Sequence, residues 1–282
     1  METVLSRKGT RVVIGPDQPT VIIGERINPT GKKLLAASLL ARDMRRVQQM
    51  ALTQVADGAQ VLDINVGAAG VDEVEVLPLA VKAVMEVTDL PLCLDSANAA
   101  ALKAALEVYD GKALINSVNG EEASLQRVLP LVKQYGAAVI GLAMGDAGIP
   151  PDAEGSLGMA RRIVTRAEEL GIPRADVLID CLALTVGAEY TAARVTLEAI
   201  HRVGQELGVN MTLGASNVSF GLPDRETVNS AFLAMAIAAG VNAPIVNPTQ
   251  AKRTALIADL LMGRDEFAMN YVLYFREHEV KS

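Results

Sequence analysis

One pattern recurs through the chain and limits what it can fold into: an amphipathic segment, then a glycine, then a short apolar run. It stands at Gly58 (ADGAQVLDINV), Gly111 (YDGKALINSV), Gly136 (QYGAAVIGLAM), Gly171 (ELGIPRADVLIDC), Gly208 (ELGVNMTLGASNV) and Gly240 (AAGVNAPIVN). Glycine just past a helix takes the left-handed turn that other residues resist, and a run with the character of a buried strand follows each time. Repeated helix-glycine-strand units describe an alternating α/β chain with parallel strands. Strand candidates number eight, at 20–25, 61–66, 91–95, 113–118, 137–144, 177–181, 212–218 and 243–247. Eight such units in 282 residues predict a TIM (β/α)8 barrel, read here as a single domain over residues 1–282. An open doubly wound sheet is the rival, but it does not need eight evenly spaced units.

Helical periodicity fills the gaps. Leu34, Leu35, Leu39, Leu40, Met44, Val47, Ala51, Leu52 and Val55 share one apolar face. Residues 1–19, with Val12-Val13-Ile14-Gly15-Pro16-Asp17, read as a β-like plug over the N-terminal mouth of the barrel. Residues 249–262 and 265–279 read as two helices, one completing the barrel and one extra, suited to subunit contact in a homodimer.

Half of the residues are hydrophobic, enough for a large core. A net charge of −7 argues against nucleic acid as the main partner. The longest apolar region, 231–246, is broken by Gly240, Asn242 and Pro244, which suits a buried helix and strand rather than a membrane span. The first residues lack the apolar block of a signal peptide. Cys93 and Cys181 lie inside apolar runs, so two reduced, buried thiols are expected, and cytoplasm is the expected location.

A barrel of this kind works at the C-terminal ends of its strands. Those ends carry Glu25 and Asn28, Asp63 and Asn65, Asp95, Asn116, Asp180, Asn217 and Asn247; strand five alone, with Leu142 and Met144, lacks such a group. None carries His, Cys or Lys, which removes much chemistry. His201 lies in a helix and His278 near the C-terminus, so neither a catalytic zinc nor a Ser-His-Asp triad is supported. Lys112 precedes strand four, a poor place for a Schiff base, and no Gly-rich phosphate loop with a following Lys is present. Carboxylates and amides hydrogen-bond a planar heterocycle well, a carboxylate matching adjacent N–H and amino donors with both oxygens. A hard-metal site of Asp63, Asp95 and Asp180 competes with that reading.

Each residue also has a plainer explanation. Asn98 suits the cap of the helix that follows, and Asp95 could cap it too. Asn28, Asn65 and Asn247 could staple loops. Asp72, Asp146, Asp152 and Asp224 suit capping or solvation, and Arg225 could pair with Asp224 or Glu226 or anchor an anionic tail. Met50, Met85, Met235 and Met262 fill core at helical spacing. The case rests on seven polar strand ends together.

In order along the chain, GERINPTGK, LDINVG, LCLDSAN, INSVNGE, LIDCL and GASNVSFGLPDR resemble the pterin-binding methyltransferases that exchange a methyl group between methyltetrahydrofolate and a corrinoid. That family includes the folate module of cobalamin-dependent methionine synthase and free-standing methyltetrahydrofolate:corrinoid protein methyltransferases; the resemblance covers roughly residues 20 to 260. It implies that Asp95, Asn116 and Asp180 hold the pterin, that Asp63 and Asn65 line the same pocket with Glu25, Asn28, Gly214, Ser216 and Arg225, and that Asn217 is the catalytic residue, hydrogen-bonding the methyl-bearing nitrogen. It implies no metal on this chain. The corrinoid-binding signature Asp-x-His-x-x-Gly is absent from the sequence, so the cobamide is expected on a partner protein docked over the open face. Phe220 is closer to the methionine-synthase style, and Cys181 stands where the acetogen type has Pro. Those departures favour transfer from a methylated corrinoid to tetrahydrofolate over the folate-to-corrinoid direction of acetyl-CoA synthesis. A dihydropteroate synthase-like condensation enzyme and a non-catalytic folate-binding subunit are the alternatives; the first calls for basic residues around strand seven, where none stands before Arg225.

Overall fold

In a computed structural model, which describes residues 1–279, the chain closes into an eight-stranded parallel barrel. An N-terminal hairpin, β1 (Thr3–Arg7) and β2 (Thr10–Ile14), precedes it. Then come β3 (Ile23–Ile27), α1 (Lys33–Leu40), α2 (Arg45–Ala56), β4 (Val61–Asn65), α3 (Glu73–Val87), β5 (Leu92–Asp95), α4 (Ala99–Val108) and a two-residue β6 (Gly111–Lys112). The second half runs β7 (Leu114–Asn119), α5 (Glu122–Tyr135), β8 (Ala138–Leu142), α6 (Ala153–Glu169), β9 (Val177–Asp180), α7 (Ala192–Leu207), β10 (Asn210–Gly214), α8 (Arg225–Ala239), β11 (Val241–Val246), α9 (Pro248–Leu261) and α10 (Met269–Glu279). Around the barrel the order is β10-β11-β3-β4-β5-β7-β8-β9, with β9 pairing back to β10. No described helix is long and apolar enough to cross a membrane.

Strand periodicity sorts the side chains into two cores. Leu62, Ile64, Leu94, Ile115, Val139 and Ile179 point outward and pack against the helices. Ile23, Val61, Cys93, Leu114, Ile140, Leu178 and Ala243 point inward and form a separate cluster. Two residues further along each inward row stand Glu25, Asp63, Asp95, Asn116, Leu142, Asp180 and Ile245. The same alternation that fills the barrel therefore delivers polar groups to its C-terminal mouth.

The hairpin closes the opposite end, as residues 1–19 suggest. Leu5, Val12 and Ile14 join the inner cluster, and Asn210 Nδ2 donates to Thr3 Oγ1 (2.9 Å) and to the Ile14 carbonyl (3.0 Å). The Arg7 side chain is fully buried, with Nε on Asp110 Oδ1 at 2.9 Å, Nη2 on the Met85 carbonyl at 2.8 Å and Nη1 on the Thr88 carbonyl.

Five expectations need correction, one being that Met235 and Met262 fill core, since both are exposed. Gly111 does not end a helix; it lies in β6 against β1, where a side chain would come within 2.1 Å of the Ser6 carbonyl oxygen. The run from Leu34 to Val55 is two helices, and Leu34, Leu40 and Leu52 are exposed. The first strand begins at Ile23, three residues later than expected, and runs to Ile27. The seventh barrel strand stops at Gly214, and Ala215–Ser219 is a 3-10 turn, so Asn217 stands beyond the strand end. The small residues that read as a continuing apolar strand instead permit a tight turn.

Candidate active site

Neighbouring strands place Asn65 opposite Asp95, and Asp95 opposite Asn116. Asn65 Nδ2 donates to Asp95 Oδ2 at 2.9 Å, while its Oδ1 accepts from the Gly67 N–H at 2.8 Å. Asn116 Nδ2 donates to Asp63 Oδ1 at 3.2 Å. Across the mouth, Asp180 accepts the Leu182 N–H at 2.6 Å and the Gly214 N–H at 3.2 Å. Ser216 Oγ donates to Glu25 Oε1 at 3.1 Å. Asp63, Asp95, Asn116, Asp180, Asn65 and Glu25 thus all reach the mouth.

Burial sets the electrostatics of this ring. Asp95 is pushed up to about 6, by desolvation first; the Asn65 amide restrains the rise and Glu73 adds to it. Asp180 is likewise pushed up to about 6 by burial, against its two backbone donors. Asp63, beneath them, lies well above the usual range because it is buried and faces Asp95, although the Cys93 thiol and Asn116 hydrogen-bond it. Glu25 is raised by burial, opposed by Ser216, Arg26, Lys32 and Arg225. Such groups take N–H donors from a ligand readily, since pairing relieves a charge held away from water.

Asn217 is exposed on its turn, and its amide makes no hydrogen bond among the described residues. Its Nδ2 lies 3.4 Å from where a side chain on Gly214 would begin, which sets the amide beside the residue that also serves Asp180. The site therefore holds one uncommitted amide next to an anchored carboxylate.

Other candidates have different duties. Asn28 Oδ1 accepts the Thr30 N–H at 2.9 Å and closes a turn. Asn98 Oδ1 caps α4 by accepting the Ala100 N–H, so Asp95 is not the cap. Asp72 and Asp152 cap α3 and α6, in the manner expected of loop acids. Arg225 pairs with neither Asp224 nor Glu226; it donates to Ser219 Oγ at 3.0 Å and to the Ser216 carbonyl at 2.8 Å. Among the described residues, Asn247 Oδ1 is buried with no hydrogen-bond partner. Among the described residues no three His, Cys, Asp or Glu side chains converge as a metal ion would need, which disfavours the site of Asp63, Asp95 and Asp180.

Two groups went unassigned from sequence. Lys32 stands near Glu25 with Nζ on the Asn28 carbonyl at 3.0 Å, so a cation does reach this rim. It closes GERINPTGK, yet it lies beyond any strand end, where a strand-by-strand reading does not look. Ser96 Oγ donates to Glu73 Oε2 at 2.6 Å and accepts the Asn98 N–H, tying the β5 loop to α3. Nothing in local sequence marks that contact.

The model of the pterin binding enzyme family matches residues 24–247. Methionine synthase from Mycobacterium tuberculosis is 32% identical over 262 residues, which cover 88% of this chain and 22% of that protein; its Mycobacterium leprae counterpart is 30% identical over the same coverage. This chain therefore spans about a fifth of those relatives. Methylcorrinoid:tetrahydrofolate methyltransferase from Eubacterium limosum is 27% identical over 270 residues, 92% of this chain and 97% of that one. Among solved structures, Yersinia pestis DHPS superposes with a TM-score of 0.72 at 18% identity, covering 93% of this chain and 99% of that one. Xanthomonas albilineans dihydropteroate synthase does so at 0.68 and 22% identity, covering 92% and 98%. At such identities those structures establish a shared barrel. With the family match spanning the whole ring from Gly24 to Asn247, the chain belongs to the pterin-binding enzyme family.

Proposed function

We propose that this chain exchanges a methyl group between N-5 of tetrahydrofolate and the cobalt of a corrinoid carried by a partner protein, running from methyl-corrinoid to tetrahydrofolate. The observation that carries the reading is the pairing of a fixed acceptor, Asp180, with an uncommitted amide, Asn217, both beside Gly214. Asp180, Asp95 and Asn116 take the hydrogen-bonding edge of the pterin, with Asp63 and Asn65 holding Asn116 and Asp95 in place. The E. limosum relative, matched over nearly its whole length, supports the same direction.

In that direction the N-5 lone pair forms the new bond to the methyl carbon, and the cobalt–carbon pair leaves with cobalt, which passes from Co(III) to Co(I). The N-5 proton departs to solvent. Positioning dominates, because the attacking nitrogen must lie in line with the methyl–cobalt bond. In reverse, a tertiary amine leaves poorly unless it gains positive character. The Asn217 amide supplies a hydrogen bond that strengthens as the nitrogen lone pair is released, lowering the barrier without titrating. The partner's corrinoid meets the open C-terminal face of the barrel, and the working form is a cytoplasmic homodimer.

The test mixes the protein with methylcobalamin and tetrahydrofolate, then with cob(I)alamin and methyltetrahydrofolate, following the cobalt spectrum. Transfer in either direction supports the reading. Folate binding without transfer would leave a folate-binding subunit, and condensation of a pterin diphosphate with para-aminobenzoate would favour the dihydropteroate synthase-like alternative.

A further inference from the structure

The turn that carries Asn217 is seated on buried Ala215, Val218 and Ser219, but Asn217 itself is exposed. The turn is a five-residue 3-10 segment with no side-chain cap, and short 3-10 turns are weak on their own. Its backbone ties to the residues around it include a Phe220 N–H to Asn217 carbonyl bond of 3.2 Å, a Val186 N–H to Val218 carbonyl bond of 3.0 Å and a Leu222 N–H to Ser219 carbonyl bond of 3.0 Å. The Asn217 amide adds no hydrogen bond among the described residues.

Arg225 is the first residue of α8, and its guanidinium reaches back over this turn. Nε donates to the fully buried Ser219 hydroxyl at 3.0 Å, and Nη2 donates to the Ser216 carbonyl at 2.8 Å. The same guanidinium lies 5.7 Å from the centre of the Phe220 ring. One planar fork thus grips the residue before Asn217 and the two that follow Val218. The Ser216 hydroxyl is also held, by Glu25 in the middle of β3. A rigid fork that engages two fixed acceptors loses little side-chain freedom, and a lysine cannot reproduce its geometry.

We infer that Arg225 is a positioning residue: it fixes the 3-10 turn so that the Asn217 amide stands at the methyl-bearing nitrogen, and it does not serve as an anchor for an anionic folate tail. The inference rests on the methyl-transfer reading for its kinetic part and on geometry alone for its structural part.

The experiment compares wild type with Arg225→Lys, Asn217→Ala and the double variant in methyl transfer between methyltetrahydrofolate and cob(I)alamin. Arg225→Lys should lower kcat about 10- to 100-fold, the scale of a misplacement near one ångström. The KM for folate should stay within about twofold, because ground-state binding is untouched. In the Asn217→Ala background the same substitution should cost almost nothing further, since there is no amide left to aim. A large rise in KM with kcat preserved, or a full additional loss in that background, would overturn the inference. Should Arg225→Lys fold poorly, Ser219→Ala removes one of the two bonds and should show the same split at smaller amplitude. Should wild type transfer no methyl group at all, the side-chain amide signal of Asn217 in a ¹⁵N spectrum still decides. A shift or broadening in Arg225→Lys supports positioning, and an unchanged signal refutes it.

Discussion

Asn65 hands one amide hydrogen to Asp95 across the β4–β5 pair, at 2.9 Å, and this donor opposes the burial that drives the Asp95 carboxyl up to about 6. Removing it should let burial act unopposed. In Asn65→Leu the Asp95 carboxyl should titrate higher still, and the acidic limb of folate binding should move up by about one pH unit. Carboxyl ¹³C titration and folate affinity against pH measure both, and an unmoved limb would show that Asp95 is not the group sensed. Asp95→Ala should chiefly weaken folate binding.

Asp95 and Asp180 both titrate near 6, above the ordinary 3.8. A ring with N–H donors needs them ionised, so folate affinity should fall as pH falls through about 6, approaching tenfold per unit for each group. Stability runs the opposite way. The folded state holds these protons more tightly than the unfolded state does, so their contribution is fully present below about 3.8 and is lost as pH rises through about 6. For Asp180 the difference between those limits is on the order of 3 kcal/mol. Thermal melts of the ligand-free protein from pH 8 to 4 should show this gain developing on acidification below about 6, reduced in Asp180→Asn; parallel curves would contradict it.

Asn217→Ala should lower the methyl-transfer rate by about 10²- to 10³-fold, the usual cost of one transition-state hydrogen bond. Folate affinity should change far less, because Asp95, Asn116 and Asp180 remain. Stopped-flow spectra of cobalt together with equilibrium folate titration separate the two quantities. Full rate in the variant would remove Asn217 from the mechanism.

Arg7 closes the far end of the barrel with its side chain wholly buried. Arg7→Met should destabilise the fold by about 3 kcal/mol, since the Met85 and Thr88 carbonyls and Asp110 lose a charged donor. Folate affinity should be unaffected in the folded fraction, because the hairpin and the ring occupy opposite ends. Urea unfolding and folate titration of the same sample check both halves.

By itself the sequence determined the barrel, the plug and the inner row of polar groups. Those features are periodic: alternation along a strand fixes which residues face inward, so Asp63, Asp95, Asn116 and Asp180 could be placed from spacing alone. Tertiary structure decided what periodicity does not encode. Whether Asn98 or Asp95 capped α4 depended on which oxygen met the Ala100 N–H. Arg225 has two acidic neighbours in sequence, yet it reaches back nine residues to the Ser216 carbonyl, because the Gly-Pro loop folds α8 over the 3-10 turn. Asn217 read as the last residue of a strand. Closure of the barrel ended that strand at Gly214 and left the amide exposed on a separate turn, held by contacts from β3 and α8 that no local pattern records.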